Sequence, residues 1–462
     1  MSEPKPLPTP AARRLGLLAL GLATLLPMLG GSLANMVLPA LGQAFGVPFA
    51  SLQWVLVAYL LGITCLTVVA GRLGDRFGRR RLLLLGLGLF ALASLLCALS
   101  PTIGWLIAAR ALQGVAAACM LSLALAMVGQ LVPPARRGWG MGLLGTLSAC
   151  GTALGPSFGG LLTAGFGWQA PFLLLVPLSL LALGCARLGL PRDGSSPQQE
   201  EMNLASLSLL VAALLCYGLA LTLGGALALW WGAGALLVTA WFVRRERRAP
   251  VPLLPLALRG APGLGNGLVA SALVASVMVL TLLIGPFYLR GVFGLSLGTV
   301  GLMISGGPLL AALTGMPAGW LVDRLGARQV VRLGLAVMGT AALGLAGAAG
   351  QFGPLGYLLP ILLLTAGYAL FQTANNSAVV GGASEQTRGA VAGLLTLSRN
   401  LGQLTGVAGL GGLFAALVGE QGLTMASDLV FGTRALFALS ALLIGLALWL
   451  VGRRREGMLV SA

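Results

Sequence analysis

Long apolar runs separated by short charged or Pro/Gly-rich breaks pattern this chain from end to end. A helix needs about 20 apolar residues to cross hydrocarbon. On that measure the runs predict fourteen spans, at 15–40, 51–71, 82–100, 103–127, 139–164, 170–189, 204–222, 226–243, 263–288, 295–320, 331–350, 355–378, 391–416 and 432–451. A backbone surrounded by lipid must satisfy its own hydrogen bonds, so such runs are helices. Residues 202–243 separate twelve spans from fourteen, because they hold 42 residues without a charge. As one helix they would reach roughly 63 Å, about twice a bilayer core. Basic residues flank both ends, so a hairpin turning near Gly224 and Gly225 is expected.

Charge placement sets the expected sidedness. Lys5, Arg13 and Arg14 precede the first span, and clusters follow every even-numbered span, from Arg72–Arg81 to Arg453–Arg455. Together these are 24 of the 28 basic residues, on one side of the predicted membrane. Basic loops stay cytoplasmic, so both termini are expected in the cytoplasm of a multi-pass protein of the cytoplasmic (inner) membrane. The net charge of +17 is then a matter of topology, and no nucleic-acid partner is expected. Arg13, Arg14, the apolar run and Ser32-Leu33-Ala34 mimic a cleavable signal peptide. Cleavage would leave thirteen spans and contradict the even count, so the segment is read as span 1.

Composition narrows the chemistry. Charged residues make up 8% of the chain, against about 25% in soluble domains, which leaves no water-facing domain of useful size. There is no His, and Lys5 is the single Lys. That removes the phosphate-binding P-loop, Ser-His-Asp triads and imidazole metal sites. No cofactor, metal or enzyme activity is expected. Cys65, Cys97, Cys119, Cys150, Cys185 and Cys216 lie in apolar stretches without a CxxC pair, and read as packing residues.

The chain repeats itself. Gly71-Arg-Leu-Gly-Asp75-Arg76-Phe-Gly78-Arg-Arg80 and Gly319-Trp-Leu-Val-Asp323-Arg324-Leu-Gly326-Ala-Arg328 share the pattern GxLxDRxGxR at an offset of 248 residues. Gly151, Gly155 and Gly160 match Gly402, Gly406 and Gly411 at an offset of 251. Ordered matches at nearly one offset indicate duplicated bundles. The expected fold is an all-α integral membrane protein with two pseudo-symmetric six-helix bundles plus a two-helix insert. Its parts are a tail at 1–14, a bundle at 15–190, a loop and insert at 191–243, a linker at 244–262, a second bundle at 263–452 and a tail at 453–462.

The repeated loops read as conformational latches. Gly71, Gly78, Gly319 and Gly326 permit tight turns. Asp75 and Asp323 can sit at a helix N-terminus or pair with Arg76, Arg80, Arg324 or Arg328. Two latches favour alternating gates over a standing pore. In span 5, Gly151, Gly155 and Gly159 form a small stripe that allows close helix contact. Pro156 removes a backbone hydrogen bond beside Gly160 and marks a hinge.

These loops resemble the signature of the major facilitator superfamily. Gly151-Thr-Ala-Leu-Gly155-Pro156-Ser-Phe-Gly159-Gly160 is similar to its antiporter motif, and Arg110-Ala-Leu-Gln113-Gly114 to its RxxxG element. Gln53, Trp54 and Tyr59, with Ser398-Arg399-Asn400-Leu-Gly402, resemble the fourteen-span drug:proton antiporter branch. The resemblance covers essentially the whole chain. It implies alternating access and multidrug-type export of small amphipathic molecules, with protons as the coupling ion. It also links Arg110 to proton exchange, opposite an acid in span 1. The matching stretch here, Gly30 to Pro39, holds no acid, and Asn35 is its nearest polar substitute. All eleven acids fall in loops, tails or span ends. The cavity is therefore expected to be cationic or neutral, lined from Asn35, Gln53, Trp54, Tyr59, Arg110, Gln113, Tyr288, Tyr368, Gln372, Asn375, Asn376 and Arg399. Tyr368, Gln372, Asn375 and Asn376 share one helix face. The expected partners are a neutral or anionic amphiphile and membrane lipid. Export or flipping of one specific metabolite or lipid is the alternative, and a monomer is the expected state.

Overall fold

A computed structural model describes residues 10–133, 137–193, 204–223, 225–249, 264–381, 388–422 and 425–452. Among them the chain is helical throughout, with no strand. The helices are α1 (Pro10–Phe45), α2 (Phe49–Phe77), α3 (Arg79–Ala98), α4 (Ile103–Leu131), α5 (Arg137–Phe166), α6 (Ala170–Gly189), α7 (Leu204–Thr222) and α8 (Gly225–Glu246). They continue with α9 (Leu264–Phe293), α10 (Leu297–Leu325), α11 (Ala327–Ala348) and α12 (Leu355–Gly381). After α13 (Arg388–Leu404) a π-helical turn (Thr405–Leu410) leads into α14 (Gly411–Gly422), and α15 (Ala426–Gly452) ends the described chain.

Thirteen candidate spans among the described residues are long and apolar enough to cross a membrane, α13, the π turn and α14 forming one of them. Sequence patterning predicts fourteen. The difference is α5, which is long enough but rich in Gly, Ser and Thr, so its hydropathy falls below that of the others. Glycine serves contact here rather than hydrophobicity. The predicted hairpin turn at Gly224 lies outside the described residues, as do the tails at 1–9 and 453–462 and most of the 244–262 linker.

The chain forms two compact units. Unit 1 comprises Met1–Leu253 and Ser296–Pro308, and unit 2 comprises Leu254–Leu295 and Leu309–Ala462. In unit 1, Leu20, Leu26 and Leu33 of α1 pack with Phe90 of α3, Met120 and Leu123 of α4 and Leu175 of α6. The insert belongs to this unit, and α7 leans on α2 where Gly218 meets Leu61. In unit 2, Val274 of α9, Leu335 and Met338 of α11, Leu364 and Phe371 of α12 and Ile444 of α15 form the core.

The repeat extends well beyond its sequence motif. Helix α1 ends at Phe45 and α9 at Phe293, α2 and α10 begin at Phe49 and Leu297, and α3 and α11 begin at Arg79 and Ala327, each pair 248 residues apart. The glycines that end these helices share the spacing: Gly46 and Gly294 have φ of 62° and 65°, and Gly78 and Gly326 have φ of 100° and 82°. A left-handed φ ends a helix cheaply only at glycine. Gly78 N–H donates to Gly74 O at 2.9 Å, and Gly326 N–H to Val322 O at 2.9 Å. Even the helix crossings recur. Gly86 of α3 seats against Ala116 and Cys119 of α4, and Gly334 of α11 against Gly367 and Phe371 of α12.

Among the described residues one feature is not duplicated. The carboxylate of Asp193, just beyond α6, accepts the backbone N–H of Arg80 at 2.9 Å and of Arg81 at 3.0 Å. It thereby caps α3, where unpaired N–H groups and the helix dipole favour an anion. Arg80 Nη2 donates to Arg187 O at 2.7 Å and ties the same two helices together. A Cβ on Gly78 would overlap the Asp193 carboxylate, whereas one on Gly326 would meet no atom of the described residues. Both positions strain an L side chain, at about 1–2 kcal/mol. Gly78→Ala is therefore expected to cost more stability than Gly326→Ala, with Asp193→Asn also destabilising, as thermal unfolding of the three purified variants would measure.

Candidate functional site

Polar groups concentrate in each unit at a place framed by glycine contacts. In unit 1 the helices α2 and α4 cross at backbone distance. A Cβ on Gly114 would overlap Tyr59 O, and one on Gly62 would lie 2.7 Å from Ala111 O. This closeness places Arg110 over the ring of Tyr59, with 4.0 Å between guanidinium carbon and ring centroid. Arg110 is wholly buried. Its Nε donates to Val55 O at 3.1 Å, and Nη1 donates to Gly30 O at 3.3 Å and to Gln113 Oε1. Gln113 Nε2 donates to Ser94 Oγ at 2.8 Å, and Ser94 Oγ donates to Phe90 O at 2.6 Å. Tyr59 Oη donates to Pro27 O at 2.6 Å. Helices α1 to α4 thus meet around one cation, neutralised by carbonyl dipoles and an aromatic face.

The network stops one bond short. Arg110 Nη2 is buried without an acceptor. An unmade bond on a buried charged donor costs more than the 1–3 kcal/mol of a neutral one. Asn35 Nδ2 bonds Gly31 O at 3.1 Å, and its Oδ1 has no partner. Gln53 is buried and Trp54 half-buried on α2.

Beside this cluster, α5 lies on α1 through the predicted stripe. Gly151 faces Leu25 O, Gly155 faces Ser32 and Leu33 N, and Gly159 faces Leu33 O and Met36. On another face of α5, Gly160 approaches Leu297 O and Gly301, and Ser157 Oγ donates to Ser305 Oγ at 2.6 Å. Unit 2 repeats the seam with α13 on α9, where Gly402 faces Ala272 O and Gly406 faces Ser276 O. At the 251-residue offset Pro156 corresponds to Val407, inside the π turn Thr405–Leu410. Both helices thus loosen their backbone hydrogen bonding at one repeat position, with a proline in α5 and a π turn in α13.

Unit 2 holds an open cavity of about 160 Å³ among α9, α12 and α13. The predicted α12 face, Tyr368, Gln372, Asn375 and Asn376, forms one wall, and Arg399 and Thr396 of α13 and Ser271 of α9 complete it. The frame is held by backbone bonds. Asn375 Nδ2 donates to Gly267 O at 3.1 Å, and Ser398 Oγ, next to Arg399, donates to Leu268 O.

The structure therefore divides the predicted cavity residues. Arg110, Gln113 and Tyr59 share one cluster, and Tyr368, Gln372, Asn375, Asn376 and Arg399 share another. Tyr288 is not a lining residue: it is fully buried, stacked on Tyr357 at 4.8 Å, and accepts the N–H of Gly350 at 2.6 Å. It secures the turn between α11 and α12. Of the latch residues, Asp323, Arg324 and Arg328 are exposed, and Arg324 lies 4.0 Å over the Trp320 ring. Arg76 is exposed beside Phe77. Among the described residues nothing packs against Gly71 or Gly319. The side chain of Asp75 lies outside the described residues. The N-terminus of α3, which sequence reasoning offered to Asp75, is held by Asp193. That residue carries no motif and sits 113 residues from its partner Arg80, so no local pattern marks it. Ser94, Ser271 and Thr396 were hidden as ordinary small polar residues. Among the described residues the six cysteines are free, and four of them are buried.

Helices of spanning length, polar clusters enclosed within them and a duplicated frame define a membrane transport protein rather than an enzyme. The family model described as Major Facilitator Superfamily matches residues 20–407, and the chain belongs to that superfamily. Similar proteins include the uncharacterized transporter YebQ of Escherichia coli, 32% identical over 86% of this chain and 89% of that one. The tetracenomycin C resistance and export protein of Streptomyces glaucescens is 30% identical over 87% of this chain and 76% of its own length. The riboflavin transporter RibZ of Clostridioides difficile is 29% identical over 84% and 85%. Two solved structures share the fold at low identity. A bacterial homologue of the human lysosomal transporter Spinster, inward-facing and unoccupied, superposes with a TM-score of 0.71 at 16% identity, covering 96% of this chain and 97% of that one. The peptide transporter POT in complex with sulfate gives 0.72 at 17%, covering 96% of each.

Two outcomes follow from the packing. Arg110→Lys strands the carbonyls that the guanidinium fork serves, and is expected to cost about 2–3 kcal/mol, more than Tyr59→Phe at about 1 kcal/mol; denaturant unfolding in detergent would rank them. Gly155→Ala is expected to cost about 1–3 kcal/mol by overpacking. Combining it with Ser32→Gly, which removes the side chain it strikes, is expected to restore part of that loss in the same assay.

Proposed function

We propose that this protein is a proton-driven exporter of small amphipathic molecules, working by alternating access in the cytoplasmic (inner) membrane. It crosses that membrane fourteen times, α5 included, as two six-helix bundles with α7 and α8 inserted between them. Both termini face the cytoplasm, and the protein works as a monomer. The duplicated loops after α2 and α10 act as latches, and the α5 and α13 seams act as hinges.

The observation that carries this reading is the repeat of frame around unlike chemistry. Two units with the same helix ends and the same glycine crossings suit a transport cycle built on equivalent halves. Each holds its own polar cluster for a ligand to engage. Export as the direction is supported by the antiporter-like glycine motif of α5 and by similarity to the tetracenomycin C export protein. Protons as the coupling ion rest on the branch resemblance alone.

A second reading has a specific observation in its favour. All eleven acids lie at span ends or beyond, and Arg110 has no carboxylate beside it. That favours a transporter of one neutral or anionic metabolite or lipid, not coupled to protons. Efflux of a neutral amphiphile and of a lipophilic cation from liposomes holding the purified protein separates the readings. The exporter reading expects saturable efflux that an imposed pH gradient accelerates. Gradient-independent efflux restricted to the neutral compound would leave the second reading standing instead.

A further inference from the structure

The polar atoms of the two clusters are satisfied very differently. Around Arg110 nearly every donor has an acceptor. In the unit 2 cavity, among the described residues, the side chains of Ser271, Tyr368, Gln372, Asn376 and Arg399 make no hydrogen bond and no ion pair. Five polar groups from three helices converge on one space with their bonding capacity unused. A fold that needed these residues only to hold helices together would bond them across the seams, as Asn375 and Ser398 do. Groups left open toward a cavity are what a ligand site presents before it is filled.

The charge is one-sided as well. Among the described residues Arg399 is the charged residue of the lining, and no carboxylate lines it. Of the unit 2 acids whose side chains are described, Asp323 is exposed and Asp428 half-buried, both at helix ends. A guanidinium fork flanked by amides and hydroxyls matches an anion with two or three acceptor oxygens. Size limits what enters. At about 160 Å³ the cavity falls below the roughly 300–1,000 Å³ that encloses a drug-sized ligand, so it takes a head group while the apolar remainder lies outside.

We propose that the cavity among α9, α12 and α13 is a binding subsite for the anionic head, a carboxylate or sulfonate, of an amphipathic ligand, with Arg399 as its charge partner and Gln372 and Asn376 as flanking donors. The proposal rests on the transporter reading for its purpose but not for its chemistry. It makes the preferred ligand an organic anion and disfavours permanent cations.

The test is binding by the full-length protein in nanodiscs of zwitterionic lipid, followed by calorimetry and corrected with empty nanodiscs. The probes are 2-naphthoate, 2-naphthamide and a naphthylmethyl trimethylammonium cation, which share a ring system and differ in charge. Naphthoate is expected to bind about tenfold or more tightly than the amide, the scale of one charge-assisted hydrogen bond. Arg399→Gln is expected to abolish that preference by lowering naphthoate affinity far more than amide affinity, and Arg399→Lys to restore part of it. Thermal unfolding of each variant reports whether it is folded. Should Arg399→Gln not fold, Gln372→Leu is expected to lower naphthoate affinity selectively. Equal affinity for acid and amide, a preference for the cation, a preference that survives Arg399→Gln, or no binding of any probe would each overturn the proposal. Efflux of naphthoate from liposomes is scored separately. Binding without transport would sink the exporter reading and leave the subsite standing, and transport without an Arg399-dependent preference would do the reverse.

Discussion

Close backbone approach between helices is the constraint on which everything else in this protein depends. Lipid offers helices no hydrophobic drive to associate, since its tails are as apolar as leucine, so association must come from packing and polar contact. Glycines supply the packing. Gly114 puts α4 against Tyr59 O, Gly151, Gly155 and Gly159 put α5 on α1, Gly402 and Gly406 put α13 on α9, and Gly334 with Gly367 joins α11 to α12. Where backbones approach this closely, their carbonyls become available to side chains of the neighbouring helix. Arg110 uses two of them, Val55 O and Gly30 O. The glycine seams therefore build both the frame and the polar environment inside it.

The repeat duplicates the frame and not the chemistry. Helix ends, left-handed glycines and crossings recur at 248 residues. The charged residues do not: the residue 248 positions after Arg110 is Leu358, and the residue 251 positions before Arg399 is Ser148. Each unit thus contributes its own cation from a different helix, one almost fully bonded and one open. Among the described residues the cap on α3 is asymmetric too, since Asp193 occupies the α2–α3 turn while no described atom lies against Gly326. Duplication makes two units with equivalent frames. Divergence of the side chains gives each its own polar cluster.

Much of this was legible in the sequence because the signals are local. Apolar runs mark helices, glycine spacing marks seams, and a ten-residue pattern seen twice marks the repeat. The polar face of α12 follows from i, i+4 and i+7 spacing, and the cavity does lie against it. At α5 the apolar run is diluted by contact residues, yet it still marks the helix. Residue type failed for Tyr288, since a tyrosine in an apolar helix reads the same whether it faces a cavity or a neighbouring tyrosine.

The sequence alone determined an all-helical membrane protein, its family, its internal repeat and the exclusion of imidazole and P-loop chemistry. These follow from composition and short-range periodicity, which need no knowledge of neighbours. Tertiary structure decided which carboxylate caps α3, which polar residues share a cluster, and which of them are already bonded. It also showed that Pro156 and a π turn serve the same repeat position. Those are contacts across tens to more than a hundred residues, set by how glycine-lined helices seat against one another, and hydrogen-bond satisfaction belongs to that seating rather than to any single stretch of chain.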